Sequence, residues 1–236
     1  MVLESGAMSY PEAFAQSYDR WAADMTEDVD FYVDLAREAD GPVIELAAGT
    51  GRISIPIVER TGKRVIGIDL SPAMLARARE NAAEAGVDLE LHEADMRDLD
   101  YEKASDLVIC PYRALLHLPT WPDRRRVFER VARALRPGGR FAWNAFVFDH
   151  RYAMEYDGKW QEEPLRHLTT YAPGDNRVDI TLEDGPTLSL WWIARSEWEA
   201  LVDVAGLEAE ALYGWFDRRP FDDESREFVW VARRPA

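Results

Sequence analysis

A single cysteine, Cys110, stands in a chain of 236 residues with only four histidines. No internal disulfide can form, and no Cys/His spacing suggests a metal site. Basic charge is scarce too: 28 Lys and Arg face 44 Asp and Glu, for a formal charge of −16. Binding to a phosphate backbone draws on clustered Lys and Arg, so a nucleic-acid partner is not expected, and a small neutral or cationic substrate suits the charge better. No apolar run approaches the roughly 20 residues of a membrane span. The acidic start also lacks the basic region and apolar core of a secretory leader. The chain therefore reads as cytoplasmic, with no membrane partner, as a monomer or homodimer, and its length suits one domain. Met8 can itself serve as the start, which would set residues Met1–Ala7 apart as non-native.

What the chain does have is an apolar run, Val43-Ile44-Glu45-Leu46, leading through Ala47-Ala48 into Gly49-Thr50-Gly51 and on to Arg52-Ile53. This is the pattern of a buried strand, a glycine turn and a helix. Glycines one residue apart let the backbone amides approach a ligand, since no Cβ stands between them. The near-match Gly49-x-Gly51-x-x-Ser54 partly fits a dinucleotide fingerprint. Glu45 points elsewhere, because a carboxylate beside the turn repels a pyrophosphate and attracts an amine or sulfonium. Asp69 ends the next apolar strand, Arg64–Leu70, about 20 residues past the turn, where an acid suits the two hydroxyls of a ribose. That position serves a nicotinamide cofactor and other adenosine cofactors alike, and the segment alone also fits an ordinary strand–turn–helix.

Upstream, helices are predicted over Ser9–Trp21, where Phe14, Tyr18 and Trp21 share a face, and over Val29–Arg37. Downstream, strands are predicted over Asp88–Met96 and Ser105–Tyr112, then a helix from Thr120, a turn at Leu135-Arg-Pro-Gly-Gly139 and a strand over Arg140–Phe146. Beyond Phe148 the composition turns to Trp, Tyr and short alternating runs, predicting antiparallel strands near Leu165–Ala172, Arg177–Leu182 and Thr187–Ala194. Ser196 and Glu199 read as a capping box for the last helix. Leu207–Tyr213 and Phe228–Ala232 read as a closing antiparallel pair.

With Glu45, the Gly49/Gly51 turn, Asp69, Asp95-Met96 and Leu135-Arg-Pro-Gly-Gly139 in this order, residues 43–146 resemble class I S-adenosylmethionine-dependent methyltransferases. Ala47 and Ala48 stand where that family often has Gly and Cys. The resemblance implies an α/β, Rossmann-like, seven-stranded and mostly parallel sheet with helices on both faces. It further implies an antiparallel C-terminal strand pair and a small added antiparallel sheet after the fifth strand. The organisation follows: N-terminal lid helices over 1–40, the S-adenosylmethionine core over 41–147, an inserted substrate cap over 148–195 and completion of the sheet over 196–236.

The resemblance assigns cofactor contacts to Tyr18, Trp21, Glu45, Ala47, Gly49, Gly51, Asp69, Leu70, Met74, Asp95, Met96 and the backbone near Cys110. S-adenosyl-L-methionine would be bound and S-adenosyl-L-homocysteine released. In the small-molecule branch of the family, Tyr10, Tyr112, Arg113, His150 and Trp192 would meet the substrate, and Trp143, Trp160, Trp191 and Trp215 either join an aromatic wall or fill the core. The methyl group would pass to an N, O or C atom. A neutral amine needs no base, whereas a hydroxyl or acidic carbon benefits from one; His117 is the first choice for it, with Asp149, His150 and His167 as the other titrating groups nearby. Ile109-Cys-Pro-Tyr112 lacks the leading polar residue of the motif found in amino-methylating nucleic-acid enzymes. Two other functions stay open, an NAD(P)-dependent oxidoreductase and a non-catalytic adenosyl-ligand-binding protein.

Overall fold

Strand β1, Val43–Leu46, is buried at all four residues, as a continuous apolar run must be when both faces of its sheet are covered. Its side chains alternate between two cores, Val43 toward one and Ile44 and Leu46 toward the other. The same division separates Ile109 from Cys110 and Phe141 from Ala142. The structure, a computed structural model, describes residues 12–183 and 185–236. Besides β1, the main sheet contains β2 (Val65–Asp69), β3 (Glu90–Glu93), β4 (Ser105–Cys110), β5 (Leu135–Phe146), β10 (Glu208–Tyr213) and β11 (Glu227–Arg233), in the order β10-β11-β5-β4-β1-β2-β3. β1 to β5 are parallel, and β11 lies antiparallel between β5 and β10. The strand order reverses beside β1, which opens a crevice at the carboxyl ends of β1 and β4.

Helices α2 (Glu27–Glu38) and α3 (Ser54–Thr61) cover one face, and α5 (Trp121–Ala134) and α7 (Arg195–Val204) the other. Trp143 is fully buried, stacked between Phe141 and Trp230 at centroid distances of 4.7 and 5.8 Å. It fills the core and lines no pocket wall. After β5 come α6 (His150–Tyr156) and a separate four-stranded antiparallel sheet, β6 (Lys159–Gln161), β7 (His167–Ala172), β8 (Arg177–Leu182) and β9 (Thr187–Trp191). Helix α1 (Glu12–Trp21) bridges the two sheets. Its Ala15 and Tyr18, with Ala22 just beyond its end, pack on Met74 of α4 (Pro72–Ala85) and on Leu182 and Leu188 of the added sheet.

Two local expectations shift. The Leu135–Gly139 segment is not a turn ahead of the strand; β5 begins at Leu135, and the register jumps from Ser105↔Leu135 to Leu107↔Arg140, so the intervening residues bulge out. The last helix starts one residue earlier than its apparent cap, with the Glu197 carboxylate accepting from the Ala194 amide at 3.1 Å. The short strand β6 and helix α6 carry too little periodicity to be read from sequence.

The glycine turn depends on left-handed backbone at alternate residues, Ala47 (φ 54°), Gly49 (φ 56°) and Gly51 (φ 84°). An L side chain pays about 1–2 kcal/mol there. Gly49→Ala is therefore expected to lower stability by about 1–2 kcal/mol. Ala47→Gly, a change that typically costs about 0.5–1 kcal/mol in regular structure, is expected to leave stability unchanged or raised. Denaturant midpoints of the two variants check both.

Candidate active site

The carboxylate of Asp69, at the end of β2, accepts from the Gly49 amide through Oδ2 and from the Ser71 amide through Oδ1, each at 2.8 Å. These two bonds fix the glycine turn to the start of α4, where the Ser71 hydroxyl accepts from the Met74 amide as N-cap. Burial raises the Asp69 carboxyl above its ordinary pKa, and the amides of Ser71, Gly49 and Leu70 partly offset this. Beside it a pocket is lined by Ala47, Asp69, Leu70, Asp95 and Met96, and His117 to Pro119 close its far side. Asp95 caps the short 3₁₀ turn Met96–Asp98 and is forked by Arg97 at 2.6–3.1 Å. Burial opposes its ionisation, yet Arg97 on its oxygens holds the carboxyl below the usual range.

This donor set fits an adenosyl group: a strand-end carboxylate for ribose hydroxyls, apolar Leu70 and Met96 for a flat ring, and a second carboxylate for an exocyclic amine. The pocket as it stands encloses about 50 Å³, well below the few hundred Å³ of an ordinary ligand site. Its rim of Leu70, Met96 and Arg97 is half-buried.

Several assigned residues lie elsewhere. Glu45 does not face the crevice: it is 1% exposed and accepts from the Ser54 hydroxyl at the start of α3. Met74 is fully buried under Tyr18 and the cap leucines; the Cys110 thiol is also buried in the core, its pKa pushed up by desolvation, which leaves the backbone there, at the end of β4, for the assigned contact. Tyr18 does lie at the turn, its ring 3.7 Å from where a Cβ on Gly49 would sit. Trp21 instead lines a second, wider cavity. His117 belongs to the Asp69 pocket, and burial lowers its pKa to about 4; an imidazole so weakly basic takes few protons near neutral pH, which counts against the base role. Tyr10 lies outside the described residues.

The wider cavity encloses about 570 Å³ between the two sheets. Trp21, Phe146, Phe148, Tyr152 and Tyr171 supply aromatic walls, and Arg113, Asp149, Glu163, His167 and Arg226 supply polar groups. Trp192 is not a lining residue; it is 7% exposed and stacks flat behind Phe148 at 4.1 Å, which positions that ring. Trp160 is 44% exposed on the outside of the cap. His150 is exposed and lines a neighbouring cavity instead. Tyr112 and Arg113 leave β4 with consecutive positive φ values of 55° and 63°, and Arg113 forks onto fully buried Glu227 at 2.8–3.2 Å.

One residue that the sequence reading passed over organises the junction. Arg52 forks onto Asp28 at 2.6 and 2.7 Å, donates to the Met25 carbonyl at 2.8 Å and lies 4.9 Å over the Tyr112 ring. Its signal was its place directly after Gly51.

The strand order, the glycine turn and the acid at the end of β2 define a Rossmann-like protein built to hold an adenosine-bearing cofactor. Residues 43–139 match the family model of a methyltransferase domain. In this segment and in its fold the chain is similar to S-adenosylmethionine-dependent methyltransferases. It is 34% identical over 148 residues to a glycine/sarcosine N-methyltransferase of Parasynechococcus marenigrum, covering 60% of this chain but only half the length of that relative. A glycine/sarcosine N-methyltransferase of Halorhodospira halochloris is 25% identical over 238 residues, covering 95% of this chain and 88% of the relative. The solved CcbJ methyltransferase of Streptomyces caelestis superposes with a TM-score of 0.79 at 25% identity, covering 98% of this chain and all of that one. These matches do not favour the nicotinamide reading. Among the described residues no helix is long and apolar enough to cross a membrane.

Burial lifts the Glu45 carboxyl from 4.5 to about 8, against the opposing Ser54 hydrogen bond. Between those pH values the folded state holds a proton that the unfolded chain has lost, so this group makes stability fall as pH rises. Glu45→Gln, which cannot ionise, is expected to match the wild type near pH 5 and to exceed it increasingly toward pH 8. Melting temperatures of both proteins across that range check the sign.

Proposed function

We propose that this methyltransferase acts on the nitrogen of a small amine. The observation that carries the reading is the aromatic-walled cavity beside Tyr112 and Arg113, at the carboxyl end of β4. Faces of Trp, Tyr and Phe attract a cationic amine, and a walled chamber keeps water from the acceptor. The bound cofactor supplies a methyl group on a sulfonium, already activated for transfer. The chain's own work is therefore alignment: Asp69 and Asp95 hold the adenosine end, and Tyr18 and Trp21 close over the two chambers.

An amine that arrives as ammonium must first lose a proton. His167 replaces His117 as the candidate acceptor. It is 6% exposed, lines the cavity and meets the Trp21 ring edge-on at 5.1 Å. Its Nδ1 lies 2.7 Å from the Leu165 carbonyl, and since a carbonyl only accepts, Nδ1 carries the hydrogen and Nε2 keeps its lone pair. The names of the relatives, N-methyltransferases of glycine and sarcosine, support a nitrogen acceptor. The charge of −16 supports a small molecule over nucleic acid, and the lone, buried Cys110 supports a cytoplasmic setting.

Calorimetric titration is expected to show binding of S-adenosylhomocysteine and none of NAD, with Asp69→Ala weakening it about 10- to 100-fold; NAD binding alone would overturn the cofactor assignment. With a methyl-labelled donor and an amine panel, His167→Gln is expected to lower kcat about 100-fold at neutral pH. Activity should recover as pH approaches the amine's own pKa. An unchanged pH profile would remove His167 from the proton path.

A further inference from the structure

The aromatic cavity does not end at its own walls. A second cavity of about 280 Å³ adjoins it, and Val147, Phe148, Asp149 and Arg226 line both. At the boundary stand Asp149 and Arg226, paired at 3.6 Å, with the Arg226 side chain 59% exposed and free to swing aside. Beyond it the character changes. The second cavity is lined by His150, Arg151, Asp223, Glu224 and Ser225, none of them aromatic apart from the imidazole. A chamber of about 570 Å³ is of the size that encloses most of a drug-sized ligand. An amino acid as small as glycine would leave it mostly filled with water, which defeats the exclusion of solvent from the acceptor.

Resting on the amine reading above, we propose that the acceptor is an amine on an extended, two-part scaffold. An aromatic or apolar body fills the first chamber, and a polar tail rich in hydrogen-bonding groups passes Asp149 and Arg226 into the second. Free glycine or sarcosine is then not the substrate, although relatives carry those names. The body meets the rings of Trp21, Phe148 and Tyr171. The tail meets charges of both signs, so amide or hydroxyl groups suit it better than a net charge does.

The test is calorimetry on the full chain with S-adenosylhomocysteine present, using glycine, sarcosine, phenylalaninamide, Phe-Gly-Gly and phenylalaninol glucoside as probes. Glycine and sarcosine are expected to show no binding, phenylalaninamide to bind, and one extended probe to bind about tenfold tighter. The peptide arm identifies an amide tail and the glucoside arm a hydroxyl tail. His150→Trp, which fills the second cavity from an exposed position, is expected to abolish the gain from extension. Glycine or sarcosine binding as tightly as phenylalaninamide, no probe binding, or no gain in either arm would overturn the proposal. A methyl-transfer assay on the same probes separates the two readings: transfer to glycine alone sinks the extended scaffold and keeps the amine acceptor, whereas extended binding without transfer keeps the scaffold and sinks the acceptor.

Discussion

Asp28 has no exposed side-chain surface, and a carboxylate taken wholly out of water is tolerable only beside a matched cation. Arg52 is that cation, forking onto both oxygens from the residue that follows Gly51. The pair thereby ties α2 to the cofactor turn. The same guanidinium interacts with Tyr18 and lies over Tyr112, so helix α1 and the end of β4 are referred to one charge. Removing Arg52 would leave a buried carboxylate uncompensated and would release three walls of the site together.

A second buried acid, Glu227 of β11, is reached from α2 four residues further along, at Tyr32. The Tyr32 hydroxyl donates to Asn144 Oδ1 at 3.0 Å, Asn144 Nδ2 donates to Glu227 Oε1 at 2.6 Å, and Glu227 receives Arg113. Asp28 and Tyr32 lie at i and i+4, on one helix face. That face therefore sets both arginines, Arg52 at the turn and Arg113 in the wall of the wide cavity. The left-handed backbone of Tyr112 and Arg113 is strain of the sort that persists only where surroundings over-determine it. Here the buried Glu227 and the ring contacts of Tyr112 supply that determination.

Much of this was legible in the sequence, and the division follows physical lines. The glycine turn, the acid at the end of β2 and the strands of the added sheet rest on local patterns of apolar residues and turn formers, whereas the arrangement of the main sheet came only with the family resemblance. Side-chain direction was harder. Glu45 was placed next to the turn correctly along the chain, but it belongs to a strand buried on both faces, so its carboxylate goes under the sheet to Ser54 and not out to the crevice. Trp192 was read as a wall because aromatic residues cluster beyond Phe148; the stacking that puts Phe148 in front of it joins residues far apart in sequence. Arg52 was missed because its partner Asp28 lies 24 residues upstream; its place directly after Gly51 marks it as near the turn but not as half of a buried pair.

The two halves of the site are held by different kinds of constraint. On the cofactor side, positive φ values and amide-to-carboxylate bonds do the holding, and most substitutions there would disturb the backbone itself. On the substrate side, the cavity is walled by side chains of the added sheet and of α6, backed by rings such as Trp192. Those positions can change identity while strand pairing is kept, because a sheet's register depends on its backbone ladder and buried face more than on the residues pointing into an open chamber. A fold divided in this way keeps one cofactor while its acceptor varies. On the reading proposed above, the size and lining of the 570 Å³ chamber are thus a better guide to the acceptor than the glycine turn is.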